Sequence, residues 1–157
     1  MKQQTKQTLP SIELMYPIAL KSYEEAQKRL DVVEKRAQEI STAAATLTAA
    51  LVAFLATQNH NFKSVWFACA VFAFVLSMAL SVYVRVSGYV VTVDPLILYR
   101  RYLNDSDERF KENFIVISGK HFDDNTDIIN FKGHLTTAAS VLLALEVVLI
   151  VIHFWVG

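Results

Sequence analysis

Two ionisable residues, Glu146 and His153, stand inside a long apolar stretch near the C-terminal end of the sequence. Because seven residues make about two helical turns, both side chains lie on nearly the same face of a helix. A carboxylate in the middle of a bilayer is costly unless it is protonated, paired or in contact with water. The spacing therefore predicts a polar pore lining or a protonation-sensitive gating contact. The alternative is a neutral Glu146 that bonds a neighbouring helix, for example at the hydroxyl of Thr46 or Ser77.

A second candidate site consists of basic residues that recur at helical spacing. The candidates for binding an anion are Lys28, Arg29, Lys35, Arg36, Arg100 and Arg101. Such a stripe is typical of a solvated helix face, but it also suits a nucleotide, an oligonucleotide, lipid head groups or an acidic partner helix. The spacing identifies a face of the helix and leaves the ligand open.

Three stretches are long and apolar enough to cross a bilayer as helices, at residues 41–58, 64–85 and 134–156. Of the Asp, Glu, Lys and Arg residues, they contain only Arg85 and Glu146. The chain is 54% apolar and 19% charged, with a net charge of zero and one cysteine. This composition disfavours a soluble domain, a disulfide scaffold and a strongly basic nucleic-acid binder. The expected fold is an all-α membrane protein with three transmembrane helices.

The distribution of basic residues predicts the orientation of the spans. Fourteen Lys and Arg residues lie before the first span or from Arg85, at the end of the second span, to Lys132, while Lys63 lies between the first and second spans and none follows the third. By the positive-inside rule the N-terminus is cytoplasmic and the C-terminus is outside. The cytoplasmic parts are then an amphipathic helix over residues 1–40 and a helical linker over residues 86–133. The polar first 20 residues predict that the first span is retained as an anchor.

Apolar residues at steps of three and four run from Ile12 to Leu47, as in a heptad repeat. They predict one helix from about Ser11 to Thr57 that buries this seam against a partner. The linker and the same helix of another subunit are both candidates for that partner.

The linker sequence predicts three helical pieces. The first covers residues 95–103, and the second starts at Ser106 and ends at Ser118-Gly119. The third starts at Asp123-Asp124 and continues into the last span.

Small residues at four-residue intervals predict close contacts between helices. They are Ala45, Ala49 and Ala53 in the first span, and Ala73, Ser77 and Ser81 in the second. These faces are expected to pack a helical hairpin or a homo-oligomer.

The sequence contains no nucleophile elbow, no metal-ligand spacing and no Gly-rich phosphate loop. We therefore expect a protein that is not an enzyme and that needs no cofactor or metal.

The order of features resembles the small prokaryotic membrane effectors of the SLATT type and the transmembrane effectors of Pycsar-like antiphage systems. The resemblance lies in the segments AQKRLDVVEKRAQEISTAAATLTAALVAFLA, VDPLILYRRYLNDSDERFKENF and NTDIINFKGHLTTAASVLLALEVVLIVIHF. It implies a homo-oligomeric pore or channel in the bacterial inner membrane that depolarises the membrane and arrests growth. It also implies gating by a cyclic nucleotide or oligonucleotide from an associated nucleotidyltransferase. Pycsar effectors often carry a separate nucleotide-binding domain; 157 residues leave no room for one, so sensing is expected at the cytoplasmic helices.

Other functions fit parts of the same pattern. A membrane-anchored adaptor would recruit a partner through its N-terminal helix, and Glu146→Gln would leave that role intact. A holin is less favoured, because holins commonly end in a basic inner tail and this chain ends in Phe154-Trp155-Val156-Gly157. A transporter is disfavoured because no internal repeat or Gly/Pro-broken span is visible.

Overall fold

The structure is a computed structural model that describes residues 10–58, 65–93, 100 and 105–156. Within these residues the secondary structure is helical, without a strand: α1 covers Pro10–Gln58, α2 Val65–Val86 and α3 Asp107–Val156. Each helix contains a stretch long and apolar enough to cross a membrane. The predicted all-α fold with three spans is therefore confirmed. The expected outer hairpin over residues 59–63 lies outside the described residues, as does the expected helix over residues 95–103 apart from Arg100.

The starts of α1 and α3 follow the rules for helix N-termini. Pro10 is the first residue of α1, where its missing N–H costs no hydrogen bond. Ser106 precedes α3, and its Oγ accepts a hydrogen bond from the backbone N–H of Arg109 at 3.4 Å. The predicted start at Ser106 is thus confirmed. Pro17 lies inside α1 and removes one backbone hydrogen bond, yet the helix continues.

The predicted helix end at Ser118-Gly119 is wrong, and so is the separate start at Asp123-Asp124, because α3 continues through both. A glycine inside a helix costs about 1 kcal/mol relative to alanine. Ser118 is buried, and its Oγ donates to the carbonyl of Phe114 at 2.7 Å, so the helix satisfies this hydroxyl internally. Burial of Phe114 and Ser118 offsets the weak propensity of the Ser-Gly pair.

The end of α2 carries a left-handed cap. The backbone N–H of Ser87 donates to the carbonyl of Tyr83 at 2.8 Å, and Gly88 has a φ of 62°. Glycine reaches this conformation without the steric cost that a Cβ would bring. The cap ends the second span close to its predicted boundary at residue 85.

The described chain divides into two compact units. The linker unit comprises Met1–Leu30 and Tyr89–Ile129, and the span unit comprises Asp31–Gly88 and Asn130–Gly157. The span unit thus includes residues 31–40 and 130–133, which the sequence assigned to the cytoplasmic parts.

In the span unit, α1 and α3 run parallel and α2 runs antiparallel to α3. Glu34 contacts Lys132, and Thr48 contacts Glu146, so both helices advance by 14 residues between the two contacts. Along α2 the order of contacts with α3 is reversed, since Ser77 meets Ala139 and Phe67 meets His153. The buried residues of α2 are Ala70, Ala73, Ser77, Ser81 and Val84. Their small side chains allow close approach of the helices.

In the linker unit, α1 packs on α3 through aromatic side chains. The rings of Tyr16 and Phe114 lie 5.1 Å apart, and the hydroxyl of Tyr23 is 2.9 Å from Nδ1 of His121. Tyr23 and His121 are 98 residues apart, and the same separation relates both α1–α3 contacts of the span unit. Because 98 is a multiple of seven, the heptad patterns of the two helices coincide.

The predicted seam of α1 is buried or half-buried from Ile12 to Ala44, but Leu47 is exposed. Thr48, which is half-buried, takes its place in the packing. The partner of the seam within the chain is α3, one of the two candidates from the sequence.

The Lys111 ion pairs of the linker unit predict that the folded protein loses stability at alkaline pH. Lys111 Nζ lies 2.7 Å from Glu13 and 2.9 Å from Asp107, and hydrogen bonds to both carboxylates raise its pKa from 10.5 to about 12. A raised folded-state pKa adds stability below pH 10.5 that is lost as the pH rises towards 12. We expect Lys111→Gln to be less stable than wild type at pH 8, with the gap closing between pH 10.5 and 12. Unfolding followed by circular dichroism across this pH range measures the stability difference between wild type and Lys111→Gln. A difference that does not change with pH would contradict the prediction.

Candidate functional site

A line of buried residues, most of them polar, follows one face of α3 at seven-residue intervals. We call it the α3 stripe; its members are Ser118, Asn125, Lys132, Ala139, Glu146 and His153, all of them buried. Positions seven apart in an α-helix fall about 20° short of two full turns, so neighbouring members of the stripe within each unit lie on nearly the same side of α3. A buried helix face is ordinarily apolar. The polar character of this face marks it as the candidate site.

Two stripe residues of the span unit contact α1. The ammonium of Lys132 forms a 2.8 Å ion pair with Glu34, and its side chain is only 1% exposed. Two heptads later, the Thr48 hydroxyl donates a 2.9 Å hydrogen bond to Glu146 Oε1. A buried charge needs a partner to offset its desolvation, and Glu34 provides it.

The two other stripe residues of the span unit contact α2. The hydroxyl of Ser77 donates to the backbone carbonyl of Ala139 at 3.0 Å. The imidazole ring of His153 lies 5.7 Å from the ring of Phe67. Successive stripe residues from 132 to 153 therefore contact α1 and α2 alternately, and the stripe fixes α3 to both helices.

Glu146 occupies a small, largely apolar cavity within the span unit. The cavity has a volume of about 50 Å³, and Thr48 and Glu146 supply its only hydroxyl and carboxyl groups. Its other lining residues are Leu51, Val52, Phe67, Ala70, Val71 and Phe74. Glu146 is 1% exposed, and its Oε2 has no hydrogen-bond partner among the described residues. Within the described residues, one oxygen of the carboxyl group is thus hydrogen-bonded and the other is not, and a buried polar atom without a partner is costly.

His153, like Glu146, is buried with one polar atom that lacks a hydrogen-bond partner in the described residues. Its side chain is 5% exposed, and its Nδ1 is buried without a hydrogen-bond partner in the described part of the chain. Phe67 lines the Glu146 cavity and also contacts His153, so one α2 side chain adjoins both ionisable groups.

The structure gives Glu146 a hydroxyl partner, as one of the sequence alternatives expected, but the partner is Thr48. Thr46 donates to the carbonyl of Thr42 instead, and Ser77 to that of Ala139. Glu146 faces the interior of its own three-helix packing.

The predicted anion-binding residues that the structure describes belong to different units. Lys28 and Arg29 are exposed in the linker unit, whereas Lys35 and Arg36 are exposed in the span unit. Arg100 is exposed, and Arg101 lies outside the described residues. Arg36 alone among the four on α1 lines one of the described cavities.

The two predicted small-residue faces have different environments. Ala73, Ser77 and Ser81 are buried in the contacts of α2, whereas Ala45, Ala49 and Ala53 are exposed. Ala44, one position earlier, is fully buried in their place. The exposed face of α1 makes no helix contact within the described chain.

Sequence reasoning missed Lys132 as part of the site. The signal was present, because Lys132 lies two heptads before Glu146 on the same face. It was overlooked because it lies close to the start of the last span, where a flanking lysine is common.

No group of three or more His, Cys, Asp or Glu side chains able to hold a metal occurs among the described residues. The chain matches no protein-family model, no characterised protein and no solved structure. What the α3 stripe does therefore has to be argued from its own geometry.

Proposed function

We propose that the protein is a gated, ion-conducting membrane effector and that the described conformation is its closed state. One observation carries this proposal: Glu146 Oε2 and His153 Nδ1 are buried on a membrane-spanning helix without hydrogen-bond partners in the described residues. A helix that serves only as an anchor gains nothing from such groups, because each costs free energy that leucine would not. A second conformation in which both groups meet water would recover that cost.

In this proposal, gating is a movement of α3 against α1 and α2 in the span unit. The Thr48–Glu146 hydrogen bond and the Lys132–Glu34 ion pair hold α3 in the closed position. When they separate, Glu146 and His153 reach water and line a conducting path. Several copies build that path, and the exposed Ala45, Ala49 and Ala53 face of α1 suits close packing between them.

The proposed setting follows from the sequence. The basic residues favour a cytoplasmic N-terminus and an outside C-terminus, and the resemblance to antiphage effectors favours the bacterial inner membrane. The same resemblance suggests a nucleotide or oligonucleotide trigger at the cytoplasmic helices, where Lys28 and Arg29 are exposed. The outcome would be depolarisation and growth arrest, and no catalytic step is assigned to the chain.

Induced expression in a bacterial host tests this function. We expect wild type to depolarise the cells once expression is high enough that the closed state no longer keeps the ion leak negligible. A potential-sensitive dye reports the depolarisation. Glu146→Gln keeps an oxygen that can accept the Thr48 hydrogen bond but removes the ionisable group, so we expect depolarisation to fall at least about tenfold.

Glu25→Gln is the matched control, because Glu25 is an exposed acid on α1, and it should behave as wild type. Protein levels in the membrane fraction are compared for all three. The proposal fails if wild type leaves the potential intact during phage infection in the presence of its neighbouring genes, or if Glu146→Gln depolarises as wild type does.

A membrane-anchored adaptor is the second candidate, and exposed apolar side chains of the linker unit favour it. Leu14 and Ile18 on α1 are 70% and 68% exposed. Ile18 also lines an open groove of about 530 Å³ between α1 and α3 of this unit, together with Phe122. An adaptor predicts that Ile18→Asp abolishes partner capture, and that membrane potential is unaffected by every variant.

A further inference from the structure

An open groove of about 320 Å³ lies between α1 and α3 of the span unit, apart from the Glu146 cavity. Its volume is in the range of small-molecule sites. Its charged residues are Arg36 and Glu39 on α1, while Ala43 and Leu143 lie further along the two helices. The remaining lining residues are Val33, Ile40, Gly133, Thr136, Thr137 and Ser140. Beyond Glu39, the α1 side of the groove is thus apolar.

This change coincides with the expected membrane boundary. Arg36 and Glu39 immediately precede the first apolar span at residues 41–58, and Gly133 precedes the last one at residues 134–156. From Arg36 to Ala43, a helix rises by about 10 Å. The groove therefore extends from the level of lipid head groups into the level of acyl chains.

The hydrogen-bonding groups of the groove are mostly acceptors. The hydroxyls of Thr136, Thr137 and Ser140 each donate to a backbone carbonyl of α3, at 2.9, 3.0 and 3.0 Å. Their oxygens keep lone pairs for a ligand but have no hydrogen left to give. Glu39 is also an acceptor, so Arg36 is the strong donor of the groove. Neither Arg36 nor Glu39 forms an ion pair within the described residues.

We propose that this groove binds a phospholipid whose head group carries a phosphate and a primary ammonium, as phosphatidylethanolamine does. The guanidinium of Arg36 matches the phosphate, and the ammonium, with three N–H donors, matches Glu39 and the hydroxyl oxygens. Arg36 and Glu39 are about 4.5 Å apart along the helix axis, the scale of the two-carbon link between phosphate and ammonium. The acyl chains follow Ala43 and Leu143 into the hydrocarbon region.

The same groove is poorly suited to a soluble nucleotide. A nucleotide brings several negative charges and needs many donors, whereas Glu39 would repel it and Arg36 alone would bind it. The lipid site is thus distinct from any site for the proposed nucleotide trigger.

Native mass spectrometry of the full chain in detergent tests the proposal, with phosphatidylethanolamine, phosphatidylglycerol and inorganic phosphate as separate probes. We expect phosphatidylethanolamine to bind tightest. Arg36→Gln should weaken its binding about tenfold, and Glu39→Gln should remove the preference over phosphatidylglycerol. Lys35→Gln is the matched control, since Lys35 is exposed next to Arg36 but does not line the groove, and it should bind as wild type.

Gly133→Leu fills the groove without using its charges. A Cβ at Gly133 has no atom within 4 Å, so the variant should fold, while its larger side chain displaces the lipid. Circular dichroism checks the helical content of each variant. The proposal is overturned if Arg36→Gln and Lys35→Gln weaken binding equally, if folded Gly133→Leu retains the lipid, or if inorganic phosphate binds and phosphatidylethanolamine does not.

Discussion

Glu34→Ala is expected to lower the free energy of unfolding by about 3 kcal/mol, because it leaves the Lys132 ammonium buried without its partner. The Lys132 side chain is 1% exposed and reaches Glu34 at 2.8 Å, whereas the Glu34 side chain is 34% exposed. The loss therefore arises mainly from the desolvated lysine. Unfolding in detergent, followed by circular dichroism, measures it.

Two further variants distinguish the effect of the buried charge from the effect of any glutamate-to-alanine change on α1. Glu25→Ala is the control, because Glu25 is an exposed glutamate on the same helix without an ion pair in the described residues, and we expect a change within about 0.5 kcal/mol. The double variant Glu34→Ala/Lys132→Met removes both charges and should recover most of the loss. If the double variant is as unstable as Glu34→Ala, the buried charge is not the cause.

Thr48→Val is expected to raise the basal ion leak about tenfold. Valine has nearly the shape of threonine but cannot donate to Glu146 Oε1, so the closed state loses the one hydrogen bond that this carboxyl group makes in the described residues. A lost hydrogen bond of about 1.4 kcal/mol shifts an equilibrium between two states tenfold. Dye-reported ion flux from proteoliposomes measures the leak without any trigger.

Thr48→Ser retains the hydroxyl and is the control for this position. It should leak as wild type does. A leak from Thr48→Val that equals that of Thr48→Ser would show that the hydrogen bond does not hold the closed state.

Hydropathy and heptad spacing were sufficient to predict three spans, the long N-terminal helix and the start of α3 at Ser106. These features depend on local chemistry, namely apolar length, period and a capping hydroxyl. The continuity of α3 through Ser118-Gly119 was not predictable, because it depends on how neighbouring residues pack. Local propensity favoured a break there, and burial overrode it.

Only part of the candidate site could be predicted from the sequence. Glu146 and His153 were identified by type and by their spacing within an apolar span. The choice of Thr48 over Thr46 as partner was not, since it depends on the rotation of α1 against α3. Lys132 could be assigned to the site only from its burial and its ion pair with Glu34 in the structure. Ala45, Ala49 and Ala53 had the right spacing for packing, yet the chain itself buries Ala44.

The central claim is that Glu146 controls ion conduction. Ion flux from proteoliposomes of identical lipid composition and protein density, compared for wild type, Thr48→Val and Glu146→Gln, tests it most directly. We predict that Thr48→Val conducts about tenfold faster than wild type and Glu146→Gln at least about tenfold slower. Equal flux from all three proteins, each folded and inserted to the same extent, would contradict the claim.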